Sequence, residues 1–149
     1  MRTHDNLYLK ESRYNNPKES HKYLIKILKK ESLKNKIYKV LDVGCSNGEL
    51  INILEKNFKN FKITGVDIKE SLLKKAKKNV SKNISFKKLN FNSNIKFFGK
   101  FDIIICSGVI SIFDNLNVFA KNIKRCSNNK SMVYLFESFN EWDYDILTK

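Results

Sequence analysis

Val40-Leu41-Asp42-Val43-Gly44-Cys45-Ser46-Asn47-Gly48-Glu49-Leu50 decides how the rest of the chain is read. An apolar run stops at two glycines that bracket small polar residues. Apolar residues at helical spacing follow. This is the pattern of a strand, a tight turn and a helix. Gly44 permits a positive φ and a close approach of a ligand to the main chain. Amides at the start of the following helix point into the turn and favour electron-rich groups.

Downstream of the turn, Leu50, Ile51, Ile53, Leu54 and Phe58 fall at helical spacing. Phe61 to Val66 reads as a short strand with Asp67 at its end. Ile68, Leu72, Ala76 and Val80 then recur every four residues, the mark of an amphipathic helix. Its outer face carries Lys69, Lys74, Lys75, Lys77 and Lys78 and reads as solvated. Ile84 to Leu89 alternates as a strand, and Asn90 ends it. Asn92 to Lys100 reads as a loop anchored by Phe97 and Phe98. Phe101 to Cys106 holds Ile103, Ile104 and Ile105 in succession. A continuous β-branched run suits a central parallel strand covered on both faces. Leu116, Phe119, Ala120 and Ile123 make a helix capped by Asp114 or Asn115. Met132 to Phe136 is the last strand, and an acidic, aromatic tail follows from Asn140.

Upstream, Met1 to Asn15 is a polar arm. Asn16-Pro17-Lys18-Glu19 reads as a helix start, with Asn16 as cap, Pro17 at the first helical position and Glu19 reaching back. Leu24, Ile27 and Leu28, with Ile25 beside them, form the apolar stripe of a helix that runs to about Glu31. Strands therefore alternate with helices from Val40 onward. That order predicts an α/β domain with a doubly wound, mainly parallel sheet and helices on both faces. The whole chain, 1–149, reads as one domain: an arm and helix over 1–38, a ligand-binding core over 39–137 and a short tail over 138–149. In such sheets ligands bind beyond the carboxyl ends of the strands, near the switch in strand order. Asp42 to Gly48, Asp67, Asn90 and Cys106 to Gly108 should gather on that rim.

The formal charge is +14, but it is nearly all lysine, with arginine only at positions 2, 13 and 125. The lysines are scattered along the chain, so they read as solvated surface rather than a dedicated polyanion groove. Nucleic acid is a possible but not a favoured partner. Cys45, Cys106 and Cys126 are odd in number and widely spaced, which suggests neither a disulfide framework nor a zinc site. No metal is expected. No apolar run reaches membrane-spanning length and the polar N-terminus has no secretory core, so a cytoplasmic protein without a membrane span is expected.

Asp67 stands 23 residues after Gly44, at the end of the second strand. An acid there can accept both hydroxyl protons of a ribose. The alternative is a cap for the helix that starts at Ile68. The glycine turn and the acid together favour ribose.

These residues carry a resemblance. Val-Leu-Asp-Val-Gly-Cys-Ser-Asn-Gly, followed by Ile-Thr-Gly-Val-Asp-Ile, is similar to the first two motifs of the Rossmann-like class I S-adenosylmethionine-dependent methyltransferases. Lys100-Phe101-Asp102-Ile-Ile-Ile-Cys-Ser-Gly-Val-Ile resembles their fourth. The similarity spans about Lys39 to Phe136. It implies S-adenosyl-L-methionine as cofactor. Gly44, Cys45, Ser46 and Gly48 would pass under its methionine part, and Asp42 would help fix that loop and a bound water. Asp67 would bind the ribose hydroxyls, and Ile68 would pack on the adenine. Asn90 and Phe91 would lie near the adenine edge. Cys106 and Ser107 would face the methionine end and the reacting centre.

The chain departs from the family twice. Asn90 stands where the family often has an acid, and a neutral amide makes a weaker contact with the adenine amino group. The family sheet usually continues past its fifth strand with a helix and an antiparallel hairpin, for which about a dozen residues remain here. Met132 to Phe136 would then be an open, apolar sheet edge. The expectation is a fragment, or a partner chain or dimer that covers this edge.

Other readings of the turn fit less well. Gly44-Cys45-Ser46-Asn47-Gly48 matches a hydrolase nucleophile elbow, but that triad needs a later histidine, and His4 and His21 both come earlier. A nicotinamide site would want a third glycine. The fourth motif lacks the Pro-Pro-aromatic sequence of enzymes that methylate adenine amino groups, and the Pro-Cys of those that methylate pyrimidine C5. A small-molecule or glycan acceptor is therefore expected. The alternatives are an RNA- or protein-directed enzyme and a cofactor-binding subunit or inactive remnant. His21 and Glu137 are within reach of the pocket, but helix surface and strand end are the preferred readings, and no catalytic base is assigned. Tyr8 and Tyr14 stand in an arm placed to close as a lid.

Overall fold

Ile103, Ile104 and Ile105 lie at the centre of the molecule, each with no exposed surface. Burying side chains of this size stabilises a fold by about 1.5–3 kcal/mol each. Ile103 and Ile105 face one hydrophobic cluster and Ile104 faces another, so both sides of this strand are covered. The computed structural model describes residues 10, 12–32, 35–96 and 98–137. Its elements are α1 (Glu19–Glu31), β1 (Tyr38–Val43), α2 (Glu49–Asn57), β2 (Phe61–Asp67), α3 (Glu70–Asn79), β3 (Ser85–Lys88), β4 (Phe101–Ser107), a 3-10 turn (Ile110–Ile112), α4 (Leu116–Cys126) and β5 (Ser127–Phe136).

The five strands form one sheet in the order β3-β2-β1-β4-β5, and every pair is parallel. Helices α1, α2 and α3 contribute to the cluster on one face. Helix α4 and the loop that follows β3 cover the other. The chain runs outward from β1 to β2 and β3, then returns to lay β4 and β5 on the opposite side. The switch in order therefore falls between β1 and β4, as the alternation of strand and helix predicted. Among the described residues no helix is long and apolar enough to cross a membrane.

Several boundaries differ from expectation for physical reasons. Helix α1 begins at Glu19 with Lys18 as its cap, without a side-chain cap bond, rather than at Asn16-Pro17. The preceding segment is drawn aside: the Arg13 amide donates to Glu49 Oε1 at 2.7 Å and the Tyr14 hydroxyl to the Asn47 carbonyl at 2.5 Å. The buried stripe of α1 is His21, Leu24, Ile25 and Leu28, so Ile25 takes the place expected for Ile27. Helix α4 is capped by Asn115, whose side chain accepts from the amides of Asn117 and Val118. Strand β5 starts at Ser127, well before Met132, with an irregular register opposite Phe101 and Ile103. Side chains hold that detour, since Ser131 Oγ and Asn128 Nδ2 both donate to the Phe101 carbonyl. Among the described residues β5 pairs with β4 alone, and Val133 and Leu135 are 40% and 44% exposed. Phe98 packs on Phe101 as expected of the loop anchor. Tyr8, Phe97 and the tail from 138 onward lie outside the described residues.

Candidate functional site

The turn after β1 is fastened to β2 by its own amides. The Gly44 and Cys45 N–H groups both donate to the Val66 carbonyl, at 2.8 and 3.0 Å. Gly44, Ser46 and Gly48 all adopt positive φ, at 72°, 51° and 84°. A Cβ on Gly44 would lie 2.5 Å from Val109 Cγ2, and one on Gly48 2.9 Å from the Ala76 Cβ. The close approach expected of a ligand at Gly44 is thus made by Val109 from beyond β4. Gly48 serves the packing of α3. Ser46 carries a side chain in the left-handed region, which costs roughly 1–2 kcal/mol, and no glycine spacing announced that.

Asp67 braces this turn from the end of β2. Its Oδ2 accepts from the Ser46 amide and its Oδ1 from the Lys69 amide, both at 2.9 Å. One carboxylate therefore serves the start of α3 and the glycine turn together.

A cleft opens at the switch point. Its floor is Asp42 and the Gly44–Asn47 turn, and Ser107 and Gly108 close it on the β4 side. Glu49 and Leu50 enter from the start of α2, and Lys18 and His21 from α1. The period-two alternation of β1 explains the place of Asp42. Tyr38 and Val40 point to the α1–α2 face and Leu41 and Val43 to the other, so Asp42 falls on the α1–α2 side.

Three buried polar atoms of this cleft have no hydrogen-bond partner: His21 Nδ1, Asp42 Oδ2 and Ser46 Oγ. Buried polar groups are ordinarily satisfied, so a cluster of orphans marks a place built for something else. Burial, with the Asp67 charge behind it, pushes the Asp42 carboxyl up to about 8. Burial, with Lys18 and Arg13 nearby, pushes the His21 imidazole down to about 4. Burial thus favours the uncharged form of each. Burial first, and then the Asp42 charge, raises the thiols of Cys45 and Cys106, so neither is a ready nucleophile. Burial and Glu49 push the Tyr14 phenol up to about 12 against a lowering hydrogen bond from Asn79, which keeps it a donor.

Asp42, Gly44, Cys45, Ser46 and Ser107, expected as cofactor contacts, line the cleft, as do Asn47 and Gly108 of the expected rim. Others lie outside its lining. Ile68 is half-buried, and Asn90 is exposed with its Oδ1 accepting from the Asn92 amide at 2.9 Å. The side chains of Phe91 and Cys106 belong to the core, and Cys106 has no exposed surface. The loop beginning at Phe91 is held by Asn122, which has no exposed surface. Its Nδ2 donates to the carbonyls of Phe91 and Ser93 at 3.0 and 2.8 Å, and its Oδ1 accepts from the Ile95 amide at 3.4 Å. Glu137 accepts from the amides of Ile110 and Ser111, at 2.8 and 3.3 Å, and so caps the 3-10 turn. His21 is in the cleft wall rather than on the helix surface. Lys18 and Glu49 were not anticipated as lining. Glu49 alone left a trace, an acid directly after the turn glycine, which also suits a helix start.

Residues 34–145 match a family model described as a methyltransferase domain. The chain belongs to this methyltransferase family. Its methyltransferase domain is 36% identical over 97 residues to protein RP789 of Rickettsia prowazekii (strain Madrid E), covering 62% of this chain and 17% of RP789. It thus spans a small part of that relative's length. A TehB-like SAM-dependent methyltransferase from Corynebacterium glutamicum superposes with a TM-score of 0.71 at 17% identity, covering 89% of this chain and 71% of that one. Coclaurine N-methyltransferase bound to N-methylheliamine and SAH superposes with a TM-score of 0.68 at 15% identity, covering 87% of this chain and 43% of the other. At these identities the structural likeness is one of fold. It places the sheet order and the switch-point cleft of this methyltransferase domain within the Rossmann-like architecture.

Proposed function

We propose that this methyltransferase domain uses S-adenosyl-L-methionine to methylate a small-molecule or saccharide acceptor. One observation carries the reading. His21 Nδ1, Asp42 Oδ2 and Ser46 Oγ are buried, unpartnered and gathered in one cleft at the switch point. Acids on its floor and basic residues on its α1 wall suit a zwitterionic amino-acid end. When bound, S-adenosylmethionine supplies a sulfonium whose methyl group is already activated. The chain's own contribution is then to bind, to orient and to exclude water, which supplies much of the rate in such a transfer.

In this reading the Gly44–Gly48 turn lies beneath the methionine part and Asp42 beside its ammonium. Asp67 receives the ribose hydroxyls, Ile68 packs on the adenine, and Asn90 and the Phe91 backbone border its edge. Ser107 faces the reacting centre, with Cys106 buried behind it. The absence of a Pro-Pro-aromatic sequence at Cys106-Ser107-Gly108-Val109 supports an acceptor other than a nucleobase amine. Coclaurine N-methyltransferase, with its small bound ligand, offers a fold precedent. Among the described residues β5 pairs with β4 alone, which supports completion of the acceptor side by other residues or by a partner.

Calorimetric titration with S-adenosylmethionine tests the proposal, on wild type and on Asp67→Ala. Binding to wild type with a marked loss in the variant is expected. Equal affinity would remove the ribose assignment, and no binding to wild type would overturn the function.

A further inference from the structure

His21 and Asp42 approach the cleft from different elements, α1 and β1, yet they share three properties. Each residue is at least nine-tenths buried, each lines the cleft, and each presents an atom without a partner. One is a base and the other an acid. A buried pair of this kind would form a salt bridge if its members met, but neither orphan atom has the other as a partner. Both line the same cleft.

The charged surroundings are asymmetric. His21 is faced by Lys18 on its own helix and by Arg13 from the preceding segment, with Asp42 of β1 and Glu49 of α2 also lining or bordering the cleft. Lys22, next along α1, is exposed and paired with Glu19. Asp42 is faced by Asp67 from β2, and the thiols of Cys45 and Cys106 lie within its field. The α1 wall is thus electropositive and the β1 floor electronegative. An amino-acid zwitterion complements it in one orientation, carboxylate toward α1 and ammonium toward β1.

We propose that the cleft keeps His21 and Asp42 as an uncharged base and acid, and that entry of a zwitterionic amino-acid end converts both to their charged forms. This rests on the cofactor reading above. Asp42 releases a proton to solvent as the ligand's ammonium comes to lie beside its carboxylate. His21 takes a proton from solvent as the ligand's carboxylate comes to lie beside its imidazole. The two exchanges balance, and the site becomes a zwitterion that mirrors its ligand. The physical cause is the same for both. Burial disfavours a charge without a partner, and an opposite charge in contact restores it. The directions agree: burial pushes the acid up to about 8 and the base down to about 4.

Titration with S-adenosylhomocysteine near neutral pH, in buffers of different ionisation enthalpy, counts the protons. Wild type should exchange nearly none. His21→Gln should release about one proton and Asp42→Asn should take up about one, since each variant leaves the other half of the exchange uncompensated. 5′-Methylthioadenosine, which lacks the amino-acid end, should exchange none with any of the three proteins. Equal counts for the three proteins with S-adenosylhomocysteine would overturn this inference while leaving the cofactor assignment intact. Failure of wild type to bind would overturn both. Should a variant fold poorly, the His21 imidazole can be followed by NMR in wild type. Its midpoint should move from about 4 to the ordinary value of about 6.5 or above with S-adenosylhomocysteine bound, and an unmoved midpoint would also overturn the inference.

Discussion

Two buried polar groups in this molecule have opposite fates. On one side of the sheet, Asn122 is wholly buried and both its amide nitrogen and its oxygen are bonded, to three backbone groups of the loop after β3. On the other, at the end of β1, Asp42 and its neighbours His21 and Ser46 are buried with atoms left unbonded. The costs differ in kind. A satisfied buried amide fixes backbone and stabilises the fold, whereas an orphaned one costs about 1–3 kcal/mol. The fold carries the second cluster at that cost, which supports the proposal that the cluster binds a ligand. Change at Asn122 should therefore harm stability. Change at the orphans should spare stability and harm binding.

The largest effect is expected at Asn122→Asp. The substitution keeps the shape but removes both donors and sets a carboxylate against two carbonyls. Urea unfolding should show a loss of about 3–5 kcal/mol, the usual cost of a buried charge without a partner. A loss below that of an ordinary surface change would erase the contrast between the two clusters.

Gly44→Ala comes next. Its Cβ would sit 2.5 Å from Val109 at a φ of 72°. Overpacking of about 1–3 kcal/mol adds to a left-handed penalty of about 1–2 kcal/mol. The companion change Val109→Ala should recover part of the loss in the same unfolding assay, because it removes the clash and leaves the backbone strain. No recovery would mean that Val109 is not what crowds Gly44.

The pH dependence of the unliganded protein sharpens the comparison further. Asp42 has its folded value raised to about 8, so its contribution is fully present below the ordinary carboxylate range and is lost as pH rises through 8. His21 has its folded value lowered to about 4, so its contribution is present above the ordinary imidazole value and is lost as pH falls. Each alone gives a slope of roughly 1.4 kcal/mol per pH unit, of opposite sign. The slopes cancel between the acid range and about 6.5, leaving the fall due to Asp42 above it. Asp42→Asn should abolish that fall and uncover the rise due to His21 on the acid side. Unfolding midpoints across a pH series measure both, and parallel curves for variant and wild type would contradict the placement of Asp42.

The smallest effect is expected at Ser46→Gly. It relieves the positive φ and deletes an orphaned hydroxyl, so the unliganded protein should gain about 0.5–1 kcal/mol. Affinity for S-adenosylhomocysteine should fall a few-fold. A loss of stability with unchanged affinity would show that the hydroxyl has a structural part and would blur the distinction between the clusters.

Local physics made much of this fold legible in the chain. The apolar run into Gly44, the β-branched stretch at Ile103 to Ile105 and the four-residue recurrence after Asp67 each declare a period that only one kind of element satisfies. With the alternation of strand and helix, they determine the sheet, its switch point and the turn. Asp42, Gly44, Ser46 and Ser107 were readable as cleft residues because they lie at or just past strand ends, and strand ends share a rim. What tertiary structure alone decided is the opposite wall. Lys18 and His21 reach the cleft because Leu24, Ile25 and Leu28 set the rotation of α1 against the sheet, and α1 packs on α2, which follows only after β1. Nor could sequence separate Asn122 from Asp42. Whether a buried polar atom is satisfied depends on partners such as Phe91, 31 residues from Asn122, and only the closed fold brings them together or leaves them apart.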